Sequence, residues 1–225
     1  GSTKKNNGPI EPTTTFHGDA EYDYKGRSWM APPAGMGSIQ ADGGSRSHHH
    51  TCYIPKQCVA RFPMHHEKGI QRIRLFPKTA HLVLSAGLDG TCKVWNLEQT
   101  KLMRTYHGHS AAVRDVQFNH DGKKFVSASF DKFLRLWDTE SGEVLQTFSK
   151  RGVPYCVQFY PRDDTYFCVG GSDSKIVTYN SKTGKVTQEY SHHLAPVNAI
   201  LFVDDHGIKL VSSGDDKKIL IWEWD

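Results

Sequence analysis

Residues 109–138 read HSAAVRDVQFNHDGKKFVSASFDKFLRLWD, and the rest of the chain repeats them. The stretch holds three short runs rich in Val, Phe and Leu, at 113–118, 125–129 and 134–138, separated by Asp121-Gly122 and Ser129-Phe130-Asp131. Apolar runs of this length between turn residues are short antiparallel strands. Trp137 closes the stretch, and Trp95, Tyr179 and Trp222 continue the series at intervals of about 42 residues. Each follows an acidic residue by six positions: Asp89, Asp131, Asp173 and Asp216. A fixed period of this size marks an all-β repeat architecture built from four-stranded units.

The units run in register along the chain. The first has strand-like runs at 70–75, 82–86, 92–96 and 102–106, and the second adds a run at 144–148 to the three above. The third has 155–159, 166–170, 176–179 and 186–190; the fourth has 197–202, 209–212 and 219–224. Repeat boundaries therefore fall near 64–106, 107–148, 149–190 and 191–225, within a domain at 53–225. Residues 59–62 read as a lone strand ahead of the first full repeat. Its expected use is as the outer strand of the last unit, closing a ring and protecting its edges.

Residues 1–52 differ in kind. They are rich in Gly, Pro, Ser, Thr and Asn and lack hydrophobic periodicity, so they read as an extended tail. One island, FHGDAEYDYKGRSWMAPP at 16–33, concentrates aromatic residues in a segment too short to bury them itself. Aromatics and Arg anchor interfaces because they bring large area at low ordering cost. Phe16, Tyr22, Tyr24, Arg27 and Trp29 are thus expected to dock on a partner, the alternative being that they pack on the chain's own repeats. Residues 34–52 read as flexible linker. His48, His49 and His50 lie in it without ligand spacing or rigid support, so no metal site is expected.

The five cysteines, Cys52, Cys58, Cys92, Cys156 and Cys168, are odd in number and form no C-x-x-C pair. This argues against a disulfide framework or zinc ribbon; Cys92, Cys156 and Cys168 sit inside strand-like runs, so a reducing, intracellular compartment and buried small thiols are expected. The formal net charge of +4 belongs to the repeats, because Lys4, Lys5, Lys25, Arg27 and Arg46 balance Glu11, Asp19, Glu21, Asp23 and Asp42 in the tail. So mild a bias permits nucleic-acid contact without arguing for it. Scattered cations such as Arg61, Lys68, Arg72, Lys123, Lys124, Lys150 and Arg151 read as a solvated surface that could meet phosphates. No apolar run has the length of a membrane span.

Aligned on their tryptophans, three repeats share four positions: His66, Ser85, Asp89 and Trp95; His109, Ser127, Asp131 and Trp137; His193, Ser212, Asp216 and Trp222. This pattern resembles the WD-repeat propeller family, and the resemblance implies that each set forms a hydrogen-bonded chain inside a blade. Buried Ser, His, Asp and Trp are tolerated when every donor finds an acceptor. A hydrolase would need one such constellation beside an oxyanion hole, and no G-x-S-x-G elbow occurs, so no catalytic residue is assigned. The third repeat departs: Lys150 replaces His, Val169 replaces Ser and Tyr179-Asn180 replaces Trp-Asp, leaving Asp173 alone. That blade is expected to be held by apolar packing alone and to be the loosest.

Further passages narrow the resemblance: YDYKGRSW at 22–29, CYIPK at 52–56, IRLFP at 73–77, VPYCVQF at 153–159, HLAPVNAILFVD at 193–204 and WEWD at 222–225. With these the chain is similar to the pre-mRNA-processing factor seventeen family, WD-repeat splicing factors of the second catalytic step. The resemblance implies a nuclear, non-catalytic scaffold that contacts spliceosomal proteins, with indirect or weak contact to snRNA or pre-mRNA. It implies no cofactor, no membrane and no small-molecule substrate. It also implies seven blades, of which about four are present, so the chain reads as a fragment with exposed edges. The alternative is a generic WD-repeat scaffold, or a ubiquitin-ligase substrate receptor, outside splicing.

Overall fold

The structure, a computed structural model, describes residues 11–23, 25–32, 58–62, 66–203 and 209–224. Among these residues every regular element is a β-strand. The first is β1 (Thr13–Phe16), ahead of the repeats. The first repeat supplies β2 (Ile70–Leu75), β3 (Leu82–Gly87), β4 (Cys92–Asn96) and β5 (Lys101–His107), and the second β6 (Val113–Phe118), β7 (Lys124–Ser129), β8 (Phe133–Asp138) and β9 (Val144–Ser149). The third supplies β10 (Pro154–Phe159), β11 (Tyr166–Gly171), β12 (Ile176–Asn180) and β13 (Val186–Tyr190). The fourth supplies β14 (Val197–Phe202), β15 (Lys209–Gly214) and β16 (Ile219–Glu223). Each repeat forms its own antiparallel sheet, a blade of a propeller.

The innermost strands β2, β6, β10 and β14 lie side by side, so the blades fan out from a common axis. The core sits between the blades rather than within them. Leu82, Leu84, Val94, Val116 and Phe118 join blades one and two; Val126, Leu136, Phe148, Val157 and Phe167 join two and three; Cys156, Cys168, Ile176, Val197 and Leu210 join three and four. A blade flanked on both faces buries successive residues, which is why β7 and β8 read as continuous apolar runs and not as clean alternation. The outer faces of the flanking blades are open: Ile73 and Leu75 on one side and Leu201, Ile219 and Ile221 on the other are each about 60% exposed or more.

Two expectations change. Residues 58–62 carry no strand; Val59 is 95% exposed, and Phe62 instead rests its ring edge-to-face on Trp95 at 5.1 Å. The division at residue 52 also fails to separate tail from blade. β1 pairs antiparallel with β5, Thr13 opposite His107 and Phe16 opposite Arg104, and makes the first blade five-stranded. The strand covers an edge that would otherwise present unpaired backbone groups. Gly142, at a φ of +82° in the turn between β8 and β9, leaves room for Thr14, because a Cβ there would strike that side chain. The expected linker at 34–52, with Cys52 and the histidines at 48–50, lies outside the described residues.

Each innermost strand breaks register at the same place, between Ile70 and Arg72, Val113 and Asp115, Pro154 and Cys156, and Val197 and Ala199. These are β-bulges, which re-aim side chains near one end of a strand. After the bulge in β6, Asp115 turns to its neighbours. Its carboxylate, 1% exposed, accepts from the Val157 N–H of β10 at 3.0 Å and from Arg72 and Arg74 of β2 at 3.2 Å each. Burial pushes its pKa up, and Arg74 and the Val157 N–H act against that rise. One carboxylate thus ties three blades at the axis. Asp115→Ala is expected to cost about 2–3 kcal/mol, since a hydrogen bond to a buried charge is lost and a backbone donor is orphaned; equilibrium urea denaturation measures it, and a loss below about 0.5 kcal/mol would contradict the assignment.

Candidate interaction surface

The three full sets assemble in the same way. His66 Nδ1 lies 2.9 Å from Asp89 and its Nε2 2.8 Å from Ser85 Oγ, which also accepts the Trp95 indole N–H at 2.8 Å. His109, Asp131, Ser127 and Trp137 repeat this at 2.8, 2.7 and 2.8 Å, and His193, Asp216, Ser212 and Trp222 at 2.9, 2.8 and 2.8 Å. With Nδ1–H donated to the carboxylate, Nε2 accepts the Ser hydroxyl. The chain therefore runs from the third strand through the second to the loop leading into the first. Ser85, Ser127 and Ser212 are each at most 1% exposed, and both nitrogens of each histidine are engaged, so none is a nucleophile that a substrate can reach.

Burial lowers the pKa of His66 and His109, opposed by their aspartates. Burial resists ionisation of Asp131, but the His109 contact and the Phe133 and Ser110 N–H groups together outweigh it and draw the carboxyl down to about 2.

The third blade is built differently. Lys150 extends into the place of the histidine, its side chain 1% exposed, with Nζ 2.8 Å from Asp173 Oδ1 and a longer contact to the Lys175 carbonyl. Val169 fills the site of the serine without a polar group, among Phe148, Phe167 and Tyr179. The Tyr179 hydroxyl donates to the Ser149 carbonyl at 3.3 Å. The expectation of apolar packing alone is therefore corrected: a buried ion pair clamps the same loop to the same turn.

The aromatic island folds onto the first blade. Asp23 accepts the backbone N–H groups of Lys25 and Arg27 and the Arg27 Nε, closing a turn that Tyr22 and Ser28 bridge. Trp29 and Met30, each 9% exposed, enter the core with Phe16 beside them. His81, 1% exposed, bonds the Met30 carbonyl at 2.9 Å. Arg104 of β5 gathers the rest: it donates to Glu21 at 2.6 Å and to the Ser141 carbonyl of the next blade at 3.0 Å, and it lies over the Phe16 ring. Phe16 and Trp29 are thus anchors for this chain's own blade, because the core between blades one and two reaches them first. Tyr22 is 57% exposed and Arg27 pairs with Asp23 at the surface. Tyr24 lies outside the described residues.

The residues that sequence reasoning missed sit at the bulges. Gln71, Arg114, Tyr155 and Asn198 occupy equivalent second positions of β2, β6, β10 and β14. The Arg114 guanidinium stacks 4.1 Å from the Tyr155 ring and 5.7 Å from the ring of Phe130, which is 41% exposed. The available signal was that these positions share no residue type while the fourth and sixth positions of each inner strand stay apolar. Among the described residues no cluster of His, Cys, Asp and Glu is arranged to hold a metal ion.

The family described as WD domain, G-beta repeat matches residues 56–96, 100–138 and 184–223, just over half of the chain. The chain belongs to this family. The matches pass over most of the third repeat, the blade whose WD-repeat chain is replaced by Lys150 and Asp173. Pre-mRNA-processing factor 17 of Homo sapiens is 42% identical over 220 residues, covering 96% of this chain and 37% of that protein. The Saccharomyces cerevisiae protein of the same name is 34% identical over 119 residues, covering 52% of this chain and 25% of its own. A guanine nucleotide-binding protein subunit beta of Zea mays is 32% identical over 65 residues, or 28% of this chain. The chain is thus a homologue of pre-mRNA-processing factor 17 and spans little more than a third of the human protein's length.

Two outcomes are expected. Histidines with lowered pKa values stabilise the fold fully above about pH 6.5 and less as pH falls, while the Asp131 contribution is lost between about pH 4 and 2. The thermal midpoint should therefore fall from pH 7 to pH 5, and His109→Gln should flatten that slope; a wild-type midpoint independent of pH would refute the buried neutral histidines. Lys150→Met should cost about 3 kcal/mol by stranding the Asp173 charge, and hydrogen exchange should find β10 and β11 as protected as β6 and β7 in the unsubstituted protein. Faster exchange throughout the third blade would show the ion pair to be no substitute.

Proposed function

We propose that this chain is the part of a spliceosomal scaffold protein that presents propeller blades to protein partners around the second transesterification step of pre-mRNA splicing. It works in the nucleus and carries no catalytic group of its own. The observation that supports the reading most is the 42% identity to pre-mRNA-processing factor 17 across 96% of the chain, against the 28% that a generic propeller relative covers. Blade geometry alone recurs in both kinds of relative, so similarity that extends through the island and through residues 153–157 speaks for the splicing role.

Stiff blades suit positioning. The buried sets lock each loop to its turn, and Asp115 locks blade to blade, so the surface loops hold fixed relative places. The open apolar faces at Ile73 and Leu75 and at Ile219 and Ile221 are covered by further blades of the longer protein. In the island, Tyr22 and Arg27 remain the outward residues for docking, while Phe16 and Trp29 hold them in place from behind.

Affinity purification of the full-length protein from nuclear extract, followed by mass spectrometry, tests this. Spliceosomal proteins of the second step are expected to be enriched, and their recovery should fall when Tyr22→Ser and Arg27→Ser are combined. Enrichment of ubiquitin-ligase subunits instead, with no splicing protein, would replace this reading by the other.

A further inference from the structure

Both ends of the propeller carry exposed cations. At the end that carries the His–Asp turns, Lys68, Lys132, Arg151 and Lys217 are exposed, with Glu67 and Asp215 as the exposed acids among the described loops. None of these four cations has a carboxylate partner among the described residues, and Asp215 is taken up by Asn198. At the opposite end Lys78, Lys123, Lys124, Arg162, Lys182 and Lys185 are exposed among Glu98, Asp121, Glu143 and Asp163, and Lys123 pairs with Asp121. Exposed cations outnumber exposed acids at both ends among the described loops, and at the end with the His–Asp turns these four stand without a carboxylate beside them.

That end also holds the non-repeating bulge residues. Arg114 lies between Tyr155 and Phe130, and the inner strands place it at the mouth of the axis. Tyr155 is only partly exposed and Phe130 is 41% exposed, so each ring keeps surface that the guanidinium does not cover. The arrangement alternates flat π surfaces and cations at short range. A strand of bases and phosphates uses both features, since bases stack on aromatic and guanidinium planes and phosphates meet Lys and Arg.

We propose that the arc formed by Arg114, Tyr155 and Phe130, with Lys132 and Arg151 beside it, binds single-stranded RNA. Bases stack on Tyr155 and Phe130, and the strand's phosphates run over Lys132 and Arg151. The stack tolerates any base, so affinity depends on single-strandedness more than on sequence. The inference deepens the splicing reading by naming the partner of this end of the propeller, and it rests on that reading only for the choice of RNA over DNA.

The test uses the full-length protein and fluorescence anisotropy with labelled oligouridine of about 12 nucleotides, a duplex of equal length and a poly-glutamate peptide. Single strands are expected to bind more tightly than the duplex. Tyr155→Leu and Phe130→Leu should each weaken binding about tenfold, and Tyr155→Phe should restore it. Lys132→Gln and Arg151→Gln should each make the dependence of log K on log salt shallower by about 0.7, whereas Lys123→Gln at the opposite end should change neither quantity. Arg114→Gln, with unchanged thermal midpoint, separates loss of the stack from loss of the fold. Equal binding of single strand and duplex, an effect of Lys123→Gln equal to that of Lys132→Gln, or preferential binding of the acidic peptide would each overturn the proposal. Absent RNA binding alongside intact recovery of splicing proteins would overturn it and leave the scaffold role standing.

Discussion

A serine hydroxyl in the middle of a sheet that water cannot reach has to be satisfied from within, and in this molecule much follows from how that is done. Ser127, fully buried, takes the Trp137 N–H and gives its proton to His109, which then needs Asp131. Four residues from four places in the repeat are thereby held together, and the loop into the first strand is fastened to the turn between the second and third. The third blade shows which part of this is essential. Lys150 and Asp173 make the same fastening with Val169 where the hydroxyl would be, so the clamp of loop to turn is kept while the chain behind it is exchanged for packing. A buried pair of this kind is held by geometry and added contacts rather than by Coulomb attraction alone; the Lys175 carbonyl supplies one such contact.

Once loop and turn are fixed, the bulge in each inner strand acquires a definite outlook. An uninterrupted strand would send neighbouring residues to opposite faces. The added residue breaks that rule and lets Arg114 and Asp115, adjacent in sequence, serve different ends: Asp115 binds the next blade's backbone, and Arg114 stays at the mouth against Tyr155. The same device in all four blades separates what the fold requires from what the surface displays. On the display side stand Gln71, Arg114, Tyr155 and Asn198, and next to them on the fold side Arg72, Asp115, Cys156 and Ala199.

Repetition also decides how much could be read from the chain. Strand positions in the repeats fall within two residues of the sequence reading, because a 42-residue period lets each blade correct the others. The errors are all at places that occur once. β1 is Thr-rich, with no apolar face of its own, and its structure depends on the β5 edge some 90 residues away. Aromatics of the island did indicate an interface, but one within the chain, a distinction that composition does not carry. Lys150 read as the loss of a histidine because the reach of its amine to Asp173 is a matter of three dimensions. Gln71, Arg114, Tyr155 and Asn198 were visible as disagreement among repeats, and disagreement is easily taken for absence of constraint.

The strap made by residues 11–32 shows how singular features are accommodated by a repeating frame. β5 would be the outer edge of its blade, and β1 pairs with it as a further antiparallel strand. Polar satisfaction is incomplete there: Trp29 Nε1 and Arg104 Nε are buried without a hydrogen-bond partner. Each such group costs on the order of 1–3 kcal/mol, so the ladder and the ion pair to Glu21 must be helped by apolar burial. Trp29, Met30 and Phe16 supply it by joining the core between the first two blades. Arg104 then does more than hold the strap, because its second contact, to the Ser141 carbonyl, belongs to the neighbouring blade. The strap is therefore fastened across a blade boundary, and the orientation of Tyr22 and Arg27 is set by the same packing that sets blade one against blade two.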